Sequence, residues 1–122
     1  MARREPESNP EMRVRMRREG LELGAGVRPL HAIGVPYWDI PPEFWGDAID
    51  GVVALGIPAL RLDLPWALHE RSPGIFEWGQ YSPELEVERL LDLAEARGLY
   101  VLCRPGPWIP RAPGRDGIPD RL

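Results

Sequence analysis

Three short strand-like stretches, the mostly apolar 30–35, Ala59-Leu60-Arg61-Leu62-Asp63-Leu64 and the continuously apolar 99–103, are separated by two stretches whose apolar side chains recur every three or four residues. Apolar runs of five or six residues bounded by Pro and Gly suit buried strands, and the spaced stretches suit amphipathic helices. The first helix is predicted over 42–55, where Trp45, Ala48, Ile49 and Val52 share a face and Gly56 and Pro58 end it. The second is predicted to open at Ser82 as cap, with Pro83 in the first turn and Glu84 and Glu86 at the positive end of the dipole. Its buried stripe is expected to be Val87, Leu90, Leu91 and Ala94, closed by Arg97 and Gly98. The unbroken run at 99–103 reads as a strand covered on both faces, with Cys103 as a small buried hydrophobe. Strands alternating with helices predict an α/β fold built from parallel βαβ units with right-handed crossovers.

Residues 1–11 are polar, charged and proline-containing, and are expected to be loosely ordered. From 12 to 23 the pattern alternates, with Arg18-Glu19-Gly20 and Gly24-Ala25-Gly26 as turns, so a small β-hairpin or meander is expected before the main fold. All 15 cations are arginines, and Arg13-Val14-Arg15-Met16-Arg17-Arg18 is their one short cluster. Its alternation reads as a strand with one wet face. With a net charge of −4 and no basic stripe, a nucleic-acid partner is not expected.

Cys103 stands alone, which excludes an internal disulfide and a cysteine metal cluster. His31 and His69 lie far apart in sequence, and neither a metal site nor a cofactor is expected. The N-terminal stretch lacks the apolar core of a signal peptide, and no run approaches the ~18 apolar residues of a membrane span. Location is therefore left open, cytoplasmic by default.

In parallel α/β arrangements ligands gather at the carboxyl ends of the strands. Those ends lead into Pro36-Tyr37-Trp38-Asp39, into Pro65-Trp66-Ala67-Leu68-His69-Glu70 within a long loop at 66–81, and into Arg104-Pro105-Gly106-Pro107-Trp108. Four of the five tryptophans, Trp38, Trp66, Trp78 and Trp108, thus fall on one expected rim. Flat aromatic faces suit the C–H faces of sugars, although the same rings can simply fill space under long loops. Asp39, Asp63, Glu70 and Glu77 are expected on the same side, and glycoside hydrolysis uses two carboxylates about 5–9.5 Å apart. Asp63 is expected to pair with Arg61 or Arg104. Spacing gives no reason to prefer Glu70, and no catalytic residue is assigned.

The segments Leu64-Pro65-Trp66-Ala67-Leu68-His69-Glu70, Pro73-Gly74-Ile75-Phe76-Glu77-Trp78 and Gly98-Leu99-Tyr100-Val101-Leu102-Cys103-Arg104-Pro105-Gly106-Pro107-Trp108-Ile109 together resemble family 35 glycoside hydrolases. Tyr37-Trp38-Asp39-Ile40-Pro41 and Trp45 extend the resemblance, which covers roughly residues 12–122. It implies that 12–122 is the N-terminal part of a (β/α)8 barrel, a fold that needs roughly 250 residues. It implies a β-galactosidase-like retaining hydrolase of carbohydrate metabolism. The family's acid/base glutamate follows the fourth strand and its nucleophile the seventh, so both are expected beyond Leu122 and this chain alone is expected to be inert. The expected partner is a β-glycoside, with Tyr37, Trp38, Trp66 and Trp108 as the candidate substrate-binding residues.

The chain also departs from the family pattern. Ala112 stands where a sugar-gripping glutamate is usual, Pro36 where a histidine is, and Ala67 where an asparagine is. These changes point to a different sugar or an inactive relative. The alternatives are a related-barrel hydrolase acting on another glycoside, or a non-catalytic carbohydrate-binding module derived from the barrel.

Overall fold

The computed structural model describes residues 14–23, 26–29 and 31–122. The expected loose segment 1–11 and the Gly24-Ala25 pair lie outside the described residues. The chain divides into two compact units, Met1–His31 and Ala32–Leu122.

In the first unit, β1 (Val14–Arg17), β2 (Gly20–Leu23) and β3 (Gly26–Arg28) form an antiparallel meander in that order. The register places Met16 opposite Leu21 and Arg15 opposite Glu22, and Arg17 pairs with Glu22 at 2.7 Å. The meander agrees with the alternating pattern. The single wet face does not: every residue of β1 is exposed, Met16 by 86%, so the apolar positions are as open as the arginines.

The second unit runs β4 (Ala32–Gly34), α1 (Trp45–Ala54), β5 (Ala59–Asp63), α2 (Trp66–His69), β6 (Glu70–Ser72), β7 (Ile75–Phe76), α3 (Val87–Ala96) and β8 (Tyr100–Arg104). Strands β4, β5 and β8 form a parallel sheet with β5 in the centre. Residues in register share a face of a pleated sheet, so Ile33, Leu60 and Val101 point one way and Gly34, Arg61 and Leu102 the other. The first face meets both long helices. Leu60 and Leu62 pack there with Trp45, Ile49 and Val52 of α1 and Val87, Leu90 and Ala94 of α3. Full burial of such side chains contributes about 1.5–3 kcal/mol each. The opposite face carries charged residues at the strand ends, with the Arg61 and Arg104 side chains partly exposed and Asp63 buried.

Trp45 anchors this layer, with its indole N–H donating to the Ile40 carbonyl at 2.9 Å. The Arg89 guanidinium lies 5.5 Å from the Trp45 ring centroid and donates to the Pro42 carbonyl, tying α3 to the entry of α1. Asp50 and Arg97 pair across the two helices.

Several expectations are corrected. Both helices begin later than the sequence suggests, because a single 3-10 turn precedes each, Pro42–Phe44 before α1 and Pro83–Leu85 before α3. The Ser82 side chain makes no cap hydrogen bond. Leu91 is 40% exposed and stands at the margin of the α3 stripe. The stretch expected to be one long loop holds α2 and a β6–β7 hairpin, turned by Gly74 at φ +78°. Strand β8 is not covered on both faces: Leu102, Cys103 and Arg104 are exposed, and β5 is its one neighbour among the described residues.

Leu90→Ala is expected to lower unfolding free energy by about 2–5 kcal/mol, as cavity-forming core truncations do. Leu91→Ala is expected to cost less than about 1 kcal/mol. Urea denaturation of the two variants checks the pair, and equal losses would contradict the facing of α3.

Candidate functional site

The open face of the sheet ends in a charge cluster. Asp63 and Arg104 are register partners, and the arginine fork donates to both carboxylate oxygens at 2.8 Å each. Such bidentate geometry is the strong form of the ion pair. Arg61, two residues earlier on the same face, brings its Nε within 3.4 Å of Asp63 but out of hydrogen-bond alignment. That Nε is buried and has no partner among the described residues. Of the two pairings expected for Asp63, Arg104 forms the tight one. Beside this cluster lies a cleft of about 350 Å³, lined by Gly34, Trp38, Asp39, Arg61, Asp63 and Arg111 together with backbone-rich neighbours.

A second, almost wholly apolar hollow of about 230 Å³ opens where β5 and β8 give way to loops. Trp66, His69, Phe76 and Trp78 line it between Pro65 and Pro105. Pro65 sets the one-turn helix α2 directly after β5, which carries His69 inward until it is 1% exposed. Trp78 stacks on His69 with centroids 4.2 Å apart at 23°, and Phe76 lies nearly parallel to Trp78 at 6.5 Å and 14°.

The imidazole is held from both nitrogens. Its Nδ1 lies 2.8 Å from the Glu77 carbonyl and its Nε2 2.6 Å from the Tyr37 hydroxyl. A carbonyl only accepts, so Nδ1 carries the proton, and neutral Nε2 accepts from Tyr37. Burial pushes the His69 pKa down, with the contacts to Glu77 opposing it. Burial, with Cys103 and Asp63 adding to it, pushes the Tyr37 phenol up, so Tyr37 remains a donor.

The carboxylates of the neighbouring loop act as fasteners. Burial alone would raise the Glu77 pKa, but the backbone N–H groups of Tyr81 and Ser82, and Arg71 at 3.3 Å, hold it below the usual range. Gly79 sits inside this turn at φ +101°, where a Cβ would come 2.9 Å from the Glu86 Cα. Glu70 accepts from Arg121 at 2.8 Å and from the Gly74 N–H at 2.9 Å, and these bonds hold its carboxyl low. Arg121 also lies 5.5 Å from the Trp66 ring centroid. The buried Trp66 indole N–H makes no hydrogen bond of ordinary geometry among the described residues.

The four candidate binding residues take different places. Trp38 lines the charged cleft and meets Tyr37 edge-on at 5.1 Å. Trp66 lines the apolar hollow. Tyr37 is 0% exposed, beneath the surface with its hydroxyl engaged by His69. Trp108 is 61% exposed and lines neither space. Ala112 is buried. Sequence reasoning missed Arg61 and Arg111 as cleft walls and Phe76 and Trp78 as partners of His69. The two-residue spacing of Arg61 and Asp63 on a strand was the available signal for the first; nothing in the sequence marked Arg111. Among the described residues, no three His, Cys, Asp or Glu side chains gather as metal ligands would, and no helix is long and apolar enough to cross a membrane.

The lowered His69 pKa fixes a pH dependence. The folded state holds the neutral ring, so its contribution is complete above pH 6.5 and declines as the unfolded chain takes up a proton below that value. Urea midpoints should fall between pH 6.5 and about pH 5, before the carboxylates protonate. His69→Gln should flatten that segment of the profile.

Comparison with known proteins supplies the context. The model of glycosyl hydrolases family 35 matches residues 27–119. The chain is 33% identical over 87 residues to an exo-beta-D-glucosaminidase of Pyrococcus horikoshii, covering 70% of this chain and 11% of that protein. It is 34% identical over 85 residues to a beta-galactosidase of Mus musculus, covering 70% of this chain and 13% of the relative. It is 34% identical over 88 residues to the human beta-galactosidase-1-like protein 2, covering 72% and 13%. The chain thus spans a small part of the length of the curated relatives it matches, and it belongs to glycosyl hydrolases family 35.

Proposed function

We propose that residues 12–122 form the opening strands of a (β/α)8 barrel of a retaining O-glycosyl hydrolase and supply part of its carbohydrate cleft. The observation that carries this reading is the set of nearly parallel rings, Phe76, Trp78 and His69, beside Trp66 at the carboxyl end of a parallel sheet. Stacked apolar faces next to a polar cleft are the means by which a protein holds a pyranose ring. Trp38 and Trp66 serve as walls against the sugar, and Tyr37 acts from below by orienting His69. The substrate is a β-glycoside, in keeping with relatives named as beta-galactosidases and as an exo-beta-D-glucosaminidase.

The catalytic acid and nucleophile lie outside these 122 residues. For the acid, support comes from the state of three of the four rim carboxylates, all but the exposed Asp39; for the nucleophile, it comes from the family resemblance. Asp63 is held by Arg104, Glu70 by Arg121, and Glu77 by backbone donors and Arg71. A general acid for glycoside cleavage needs a raised pKa, whereas Glu70 and Glu77 are both shifted the opposite way. These carboxylates are built to hold loops together rather than to deliver protons.

Incubated with aryl β-galactosides and other aryl β-glycosides, the chain should release no aryl group above the buffer rate. Saturation-transfer NMR with methyl β-D-galactoside or methyl β-D-glucoside should nevertheless mark the C–H protons of the ring, and Trp78→Ala should weaken the signal severalfold. Turnover that disappears in Glu70→Gln would relocate catalysis into this chain.

A further inference from the structure

We infer that the cleft beside β4 and β5 is a subsite for a sugar bearing a carboxylate, a hexuronic acid, received by Arg61 and Arg111. The inference rests on the carbohydrate reading above and narrows it to an anionic substrate class.

The charges lining the cleft are unequally satisfied. Both oxygens of Asp63 are occupied by the Arg104 fork, so this carboxylate is neutralised from outside the cleft lining. Arg61 is not satisfied in return. Its nearest acidic contact is the misaligned 3.4 Å approach to Asp63, it donates no hydrogen bond to a described residue, and its Nε is buried without a partner. Yet 43% of the side chain is exposed. The side chain thus lines the cleft with N–H groups that no described residue takes up.

Its placement is specific. Gly34 is the register partner of Arg61 on β4, and a Cβ there would fall 2.6 Å from Arg61 Nη2. The absence of a side chain at Gly34 is what lets the guanidinium lie across the neighbouring strand at the cleft floor. A planar fork with free N–H groups matches the two oxygens of a carboxylate, which an ammonium or amide does less well.

Arg111 also lines the cleft. It has φ +66°, a backbone conformation that a non-glycine residue seldom adopts, and its N–H is held by Asp116 Oδ1 at 3.0 Å. Its side chain has no ion-pair partner among the described residues. Asp39, exposed at the rim, is the one lining carboxylate without an ion pair among those residues. Its carboxylate is suited to accept from sugar hydroxyls. Trp38 adds an apolar wall.

Calorimetric titration of the full chain with methyl β-D-glucuronide, methyl β-D-glucoside and sodium acetate tests the assignment. The glucuronide should bind roughly tenfold or more tightly than the glucoside, as a charged hydrogen bond would give, and its affinity should fall as salt is raised. Arg61→Gln should bring the ratio of the two affinities close to one, and Arg61→Lys should restore it only in part. Should Arg61→Gln fail to fold, Arg111→Gln, outside the sheet, should still reduce the ratio severalfold. Equal affinity for glucuronide and glucoside would overturn the anionic subsite and leave the carbohydrate reading standing. Acetate competing as well as the glucuronide would reduce the cleft to a simple anion site and overturn the inference. Binding of neither sugar would overturn both.

Discussion

The hydrogen bond from Tyr37 to His69 joins the exit of β4 to the end of α2, and the geometry of the rim follows from it. His69 in turn donates to the Glu77 backbone, so one imidazole links three separate stretches of chain. With both nitrogens occupied the ring cannot rotate, and it becomes a fixed plane on which Trp78 stacks. The Glu77 carboxylate gathers the next turn through Tyr81, Ser82 and Arg71. A region of one-turn helix, short hairpin and turn is thereby given the rigidity that a binding surface needs.

The sheet beneath it sets a different constraint. Both long helices bury against the face bearing Leu60 and Leu62, so apolar stabilisation is concentrated on one side of β5. The other side carries Arg61, Asp63 and Arg104, charges that meet at Asp63 rather than standing alone. The separation of stability from chemistry thus follows the two-residue period of a single strand.

Much of this was readable beforehand. The three strand-like stretches became the three parallel strands, and the alternation near the start became the meander. The helix starts were misread because proline after Pro41 and after Ser82 resembles a first helical position, while the chain makes a 3-10 turn before the true helix. The β6–β7 hairpin left no mark because its ladder is two or three residues long and rich in polar side chains. The apolar run of β8 promised cover on both faces, a property that depends on neighbours the run itself does not encode. Placing the tryptophans on one rim identified Trp38 and Trp66 as lining residues, but spacing carried no information on depth. It could not separate the buried Tyr37 from the open Trp108. The role of His69 was hidden for the same reason, since nothing local announces which distant groups will take its two nitrogens.

Gly34 and Arg61 constrain each other. A methyl group at 34 would meet the end of the guanidinium and push that flexible side chain aside. Among relatives, the two positions should therefore change together: a substituent on one strand implies a truncated or redirected side chain on the next. A glycine on β4 thus sets the permissible chemistry of the strand beside it.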